Sequence, residues 1–224
     1  SKPGAPRFPY ARTGRKEYMS HPFVLLDLDD TLLVEEESAY RSFLATARHL
    51  GRRYPIDPEE FVTTVRTCAR ELWHSMPFYE YAKNIGIASH EALWARFSGE
   101  SAMEKEMLKH RDRYRIQAWS NALARHDIVD EKLAAELSCL FREERRAKHI
   151  LFSDAIIFLD RLRDRNVPMA LISNGTPDLQ REKINACGIE RYFRSIVISG
   201  EVGCRKPRRE IFIYCLERLG CAAD

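Results

Sequence analysis

The chain has 224 residues and a mass of 26.1 kDa, with 45% hydrophobic and 31% charged residues, which suits one large globular domain or a domain carrying an insert. Its net charge of +3 is too small to mark a nucleic-acid binder, and no apolar run approaches the ~20 residues that a membrane-spanning helix needs. Six cysteines without a C-x-x-C pair, and seven histidines without H-E-x-x-H or H-x-x-x-H spacing, give no zinc signature and suit a reducing, cytoplasmic setting.

Residues 1–22 are rich in Pro, Gly, Arg and Lys, lack periodicity and read as a flexible tail. The run from Phe23 to Leu26 is apolar and ends abruptly in acids, as a fully buried strand would. A helix follows over 36–50, where Tyr40, Phe43, Leu44, Ala47 and Leu50 fall at helical spacing. From there to about residue 149 the pattern is helical throughout. Asp57-Pro58 marks one helix start, Ser89 another, and 131–147 is a clear amphipathic stretch. In that last stretch Arg142, Arg145, Arg146 and Lys148 alternate with Glu143 and Glu144 and read as a solvated face.

After residue 152 strands and helices alternate. The expected elements are a helix over 153–165, a strand from Val167 to Ile172, and a helix from Pro177 to Cys187 stopped by Gly188. A third strand, Ser195 to Ile198, and a helix from Arg208 to Leu219 complete the chain. Alternation of this kind implies a parallel sheet of crossover units. The expected architecture is an α/β fold with a parallel core over 23–35 and 150–224, split after its first strand by a helical block over 36–149.

The strongest chemical signal is Asp27-Leu28-Asp29-Asp30-Thr31-Leu32, directly after the first strand. Ligands of open parallel sheets bind beyond the carboxyl ends of the strands. Acids clustered there need a cation, hydrogen-bond donors or solvent, and a divalent metal is their natural partner. Two further loops follow strands: Ser173-Asn174-Gly175, which alone would read as a turn, and Arg205-Lys206-Pro207, which alone would read as a solvated basic loop.

In this order the three segments resemble the motifs of the haloacid dehalogenase-like (HAD) superfamily, whose first motif is a hydrophobic strand followed by D-x-D-x-T. The resemblance covers roughly residues 22–224 and implies a Rossmann-like core with a helical cap, and magnesium-dependent hydrolysis of a small phosphorylated metabolite. It implies that Asp27 attacks phosphorus and that Asp29 serves as general acid and then base. Asp27 and Asp29 would also hold Mg²⁺, and Thr31 would brace the loop. Ser173 and Asn174 would bind the phosphoryl oxygens, and Lys206 would neutralise the nucleophile and the phosphoryl group. Arg205, Arg208 and Arg209 are expected to be solvated. Asp30 stands where many relatives have Gly.

Of the aromatic and histidine side chains in the block, among them Trp73, His74, Phe78, Tyr79, Tyr81, Trp94 and Trp119, most are expected in its core and a few facing the leaving group. The superfamily's fourth motif, a strand followed by acids, has no counterpart here, and Asp224 comes too early to supply it. The core is therefore expected to be short by one strand, the chain to be part of a longer protein, and this form of it to lack a metal ligand. Dehalogenase or phosphomutase chemistry, and a non-catalytic binding module, stand as alternatives, although Asp29 favours phosphoryl transfer over dehalogenation.

Overall fold

The computed structural model of the chain describes residues 23–220; the tail expected over 1–22, and the terminal segment with Asp224, lie outside the described residues. Strands β1 (Val24–Leu26), β2 (Met169–Ser173) and β3 (Ser195–Ile198) form a parallel sheet in the order β1-β2-β3. The register pairs Leu26 with Leu171 and Ser173 with Ile198. All three strands therefore point the same way, and the loops after them open on one edge of the sheet.

Seven helices run between β1 and β2, of which the first six form the insert: α1 (Glu35–Gly51), α2 (Pro58–His74), α3 (Tyr79–Ile85), α4 (Ser89–Ala92), α5 (Ala102–Ala124) and α6 (Glu131–Arg146). After β2 and β3 come α8 (Pro177–Ala186), α9 (Ser199–Val202) and α10 (Arg209–Leu219), while α7 (Ala155–Asp164) precedes β2. The expected strands and helices are present with ends shifted by a residue or two, except that the helix started at Ser89 is a single turn. Helix starts follow side-chain chemistry. The Asp57 carboxylate accepts the N–H groups of Glu59 and Glu60, with Pro58 at the first turn, and Asp130 accepts from Leu133.

Alternate residues of β2 face opposite sides, as strand geometry requires. Met169 and Leu171 pack with Leu28, Leu33, Leu159 of α7 and Ile184 of α8. Ala170 and Ile172 pack with Val197, Ile211 and Cys215 of α10. Covering both faces is what makes the strands apolar throughout. The six-helix insert has its own core, with Phe43, Phe61, Trp73, Trp94, Trp119 and Phe141 all buried, and Leu179 of α8 joins it.

The chain leaves the core and returns to it along two antiparallel passages. Val34 donates its N–H to Ile150 O at 2.8 Å, Phe152 donates to Leu32 O at 2.9 Å, and the Ser38 hydroxyl donates to Lys148 O. The insert then leans back over the strand ends. Ile85 O accepts the Gly175 N–H at 3.1 Å, Asn84 donates to Gly203 O at 2.6 Å, and the Asp178 carboxylate accepts the Arg96 N–H at 2.9 Å. Gly86 sits at this seam with φ +80°, where an added Cβ would stand 3.1 Å from Asn174 Cβ. The close approach and the left-handed backbone both call for glycine.

Two expectations fail here. Strand β1, expected to be fully buried, is half-buried along its length, because it forms an edge of the described sheet. Arg145 is fully buried rather than solvated; its guanidinium lies 4.9 Å over the Trp94 ring and donates to Glu35 at 2.8 Å. The amphipathic period of α6 carries Arg145 onto the inner face, where an acid from α1 is waiting.

His149, beside this cluster, keeps both ring nitrogens buried without a hydrogen-bond partner. Burial, helped by the nearby Arg145 and Lys183 charges, lowers its pKa from 6.5 to about 4. Burial likewise lowers His90 to about 4. Between those values the unfolded chain binds protons that the folded chain does not, so stability falls as pH drops from about 6.5 to about 4. His149→Phe, which removes unpaired polar atoms from a buried place, is expected to raise stability at pH 7 by about 1 kcal/mol. It should also flatten the acid limb of a plot of urea midpoint against pH; an unchanged limb would mean that His149 charges freely in the fold.

Candidate active site

The acids of the first motif lie in the tight loop that joins β1 to α1. Leu28 N–H donates to Asp27 Oδ1 at 2.7 Å, and the N–H groups of Leu32 and Leu33 both return to Leu28 O at 2.9 Å. Asp30 takes φ +53°, a left-handed conformation that aspartate tolerates better than most residues, and that explains its place at a position where glycine also serves. Its carboxylate accepts the N–H groups of Glu35 and Glu36 at 3.0 and 3.1 Å, anchoring the first turn of α1. Thr31, expected to brace the loop, is exposed and contributes its backbone N–H to Leu28 O at 3.3 Å, while the bracing side chain is that of Asp30.

Asp27 and Lys206 come together: the ammonium ion-pairs with Asp27 Oδ1 and donates to Ile172 O at 2.7 Å. Asn174 ties the two later loops to each other by accepting the Lys206 N–H at 2.8 Å. Asp27, Asp29, Asn174 and Lys206 line one cavity of about 240 Å³, closed on the insert side by Gly86, His90 and Glu91. Ser173 does not line it. The Ser173 side chain is fully buried beneath the loop and accepts a hydrogen bond from Gln180 Nε2, which leaves its own O–H free to donate.

Three functional neighbours were not singled out in the sequence: Gln180, Lys183 and Glu91. Gln180 Nε2 donates to Asp29 Oδ2 at 2.7 Å and to Asn174 O at 2.8 Å, spanning the first two loops. Lys183 has no exposure and meets Asp29 Oδ1 at 3.0 Å, Glu91 Oε1 at 2.9 Å and Glu35 Oε1 at 3.4 Å. Burial pulls the Lys183 pKa down, but the carboxylates of Glu91, Asp29 and Glu35 outweigh it and the net shift is upward. Glu35 moves up as well, because burial outweighs the attraction of Lys183 and Arg145. Both Asp29 oxygens are thus oriented, each keeping a lone pair for other work. The signal for Gln180 and Lys183 was present: they share the inner stripe of α8 with Leu179 and Ile184, where a polar residue needs a partner.

Among the described residues no group of three His, Cys, Asp or Glu side chains is placed to hold a metal ion. The oxygen donors at hand are the Asp27 carboxylate and the Asp29 carbonyl, which accepts no backbone hydrogen bond among the described residues. Hard oxygens of this kind, with water filling the remaining positions, suit Mg²⁺.

A family model described as haloacid dehalogenase-like hydrolase matches residues 23–224. The chain belongs to that family. Its sequence is 36% identical over 201 residues to the phosphoserine phosphatase of Thermus thermophilus, covering 90% of this chain and 77% of that one. It is 37% identical over 108 residues to the N-acylneuraminate-9-phosphatase of Mus musculus, 47% of this chain and 43% of that relative. Among solved structures, the HAD hydrolase YfnB of Bacillus subtilis, crystallised with magnesium, superposes with a TM-score of 0.54 at 19% identity, over 88% of this chain and 73% of that one. The structural likeness bears out the Rossmann-like α/β fold of the core, and the sequence relatives carry phosphatase names. No described helix is long and apolar enough to cross a membrane.

Removing the Lys183 ammonium leaves Asp29 and Glu91 without their cation and Glu35 with Arg145 alone, the costly way to break a buried ion network. Lys183→Met is expected to lower unfolding free energy by about 3–5 kcal/mol in urea titration. Lys206→Met, whose partner Asp27 is 43% exposed, should cost far less. Equal losses would mean that the Lys183 cluster is no better knit than a surface pair.

Proposed function

We propose that the chain is a phosphomonoester hydrolase acting on a small metabolite, with Asp27 as nucleophile. The observation that carries the reading is the pairing of Asp27 with the Lys206 ammonium in the wall of a cavity that Asp29 and Asn174 also line. In the first step an Asp27 carboxylate oxygen bonds to phosphorus while the bond from phosphorus to the leaving oxygen breaks. Asp29 delivers a proton to that oxygen. In the second step water attacks the aspartyl-phosphate, Asp29 takes the water proton, and the acyl–phosphate P–O bond breaks to free phosphate and restore Asp27.

Lys206, held by Ile172 O and by Asn174, keeps a positive charge beside the phosphoryl oxygens as negative charge shifts among them. Asn174 completes the phosphate-binding set, while the buried Ser173 hydroxyl supports it from beneath through Gln180, which also holds Asp29 in place. Mg²⁺ held by the Asp27 carboxylate and the Asp29 carbonyl would supply further charge neutralisation. The insert, docked over the strand ends, acts as the cap that keeps water from the first step. The substrate of the Thermus relative, a phosphorylated amino acid, is of a size that the cavity beneath such a cap can take.

Phosphate release from a panel of small phosphomonoesters tests this. Asp27→Asn is expected to abolish turnover, Asp29→Asn to lower it by at least about 100-fold, and chelation of Mg²⁺ to reduce it reversibly. Undiminished release by Asp27→Asn would remove Asp27 from the nucleophile's role.

A further inference from the structure

The seam between insert and core carries a second cavity, of about 350 Å³, that shares Gly86 and His90 with the first. Its chemistry is opposite. The first cavity is walled by acids and a single lysine, whereas Arg66, Arg70, Lys83 and Arg205 line the second and no carboxylate does. Arg66 is held by Glu36 at 2.7 Å. Arg70, Lys83 and Arg205 have no acid within ion-pair distance among the described residues. Side chains of like charge gathered around one hollow repel each other unless an anion joins them.

The two cavities are separated by very little. Gly86 has no side chain, and a Cβ placed there would lie 3.1 Å from Asn174 Cβ and 3.2 Å from Arg205 Cδ. Arg205 and Lys206 are consecutive, so their Cα atoms are about 3.8 Å apart, yet Arg205 lines the basic cavity and Lys206 the acidic one. The leaving group of a phosphoryl bound beside Asp27 and Lys206 would reach the basic cavity across the boundary that Gly86 and His90 share.

We infer that the basic cavity binds an anion on the leaving group, so that the preferred substrates are small phosphomonoesters bearing a second negative group, a carboxylate or another phosphate. The inference rests on the phosphatase reading and deepens it. Arg70 and Lys83 come from the insert and Arg205 from the core, so an anion between them would also draw the two together. An anion held from both sides links substrate choice to closure of the cap.

The test compares kcat/KM for ethyl phosphate, phosphoglycolate, and the bisphosphate of ethane-1,2-diol, three esters built on the same two-carbon unit but differing in the second group. Each is measured with the unmodified chain and with Arg70→Met and Lys83→Met. The anionic esters are expected to be favoured at least about tenfold, and each variant to erode that preference severalfold more than it lowers turnover of ethyl phosphate. The bisphosphate and carboxylate arms show which anion fits. Calorimetric binding of the same three esters to the Asp27→Asn chain gives a readout independent of turnover. Binding preference without turnover of any ester would sustain the basic cavity and overturn the phosphatase reading. Equal binding and equal turnover of charged and neutral esters, or variants that lower all three alike, would overturn the inference.

Discussion

A lysine with no access to water needs its countercharges delivered to it, and Lys183 receives them from three separate parts of the chain. Asp29 comes from the loop after β1, Glu35 from the start of α1, and Glu91 from the insert. Buried ion networks yield little net stability, because desolvation offsets most of the attraction. What this one supplies is position. The loop that carries the first-motif acids, the root of the insert and the face of α8 cannot shift independently without stranding a charge.

The rest of the site follows from that constraint. With Asp29 held by Lys183 and Gln180, the loop turns back through the left-handed Asp30 and leaves Asp27 directed at Lys206. With Glu91 held, the insert's seam rests on the strand ends, where Gly86 permits contact with Asn174. An acidic reaction cavity and a basic neighbour then share one narrow boundary, and the electrostatic contrast between them is a property of how insert and core meet.

Much of this was legible in the sequence. The apolar runs marked the three strands, and Asp27 and Asn174, directly after the first two, share one cavity with Lys206, which the short helix α9 separates from the end of β3. Asp57 and Asp130 announced their helices by side-chain capping. Helix α5 was less visible because it buries Glu104 and Arg115 alongside Tyr114 and Trp119, which blurs the apolar stripe. Arg145 and Lys183 were read past because a charged residue in a charged helix is ordinarily solvated; only tertiary packing supplies Glu35, Glu91 and Asp29 as partners. Arg205 is exposed, as a loop charge should be; what the sequence does not show is the cavity it lines, which is completed by residues from α2 and α3, more than a hundred positions away.

The account turns on Asp27 as the atom that takes the phosphoryl group, and the most direct measurement is to catch it there. The chain would be mixed with substrate, quenched in acid, digested and examined by mass spectrometry. A phosphoryl-sized mass gain on the peptide containing Asp27, lost in Asp27→Asn, is the predicted result. Turnover with no such gain, or a gain on a peptide from elsewhere in the chain, would contradict it.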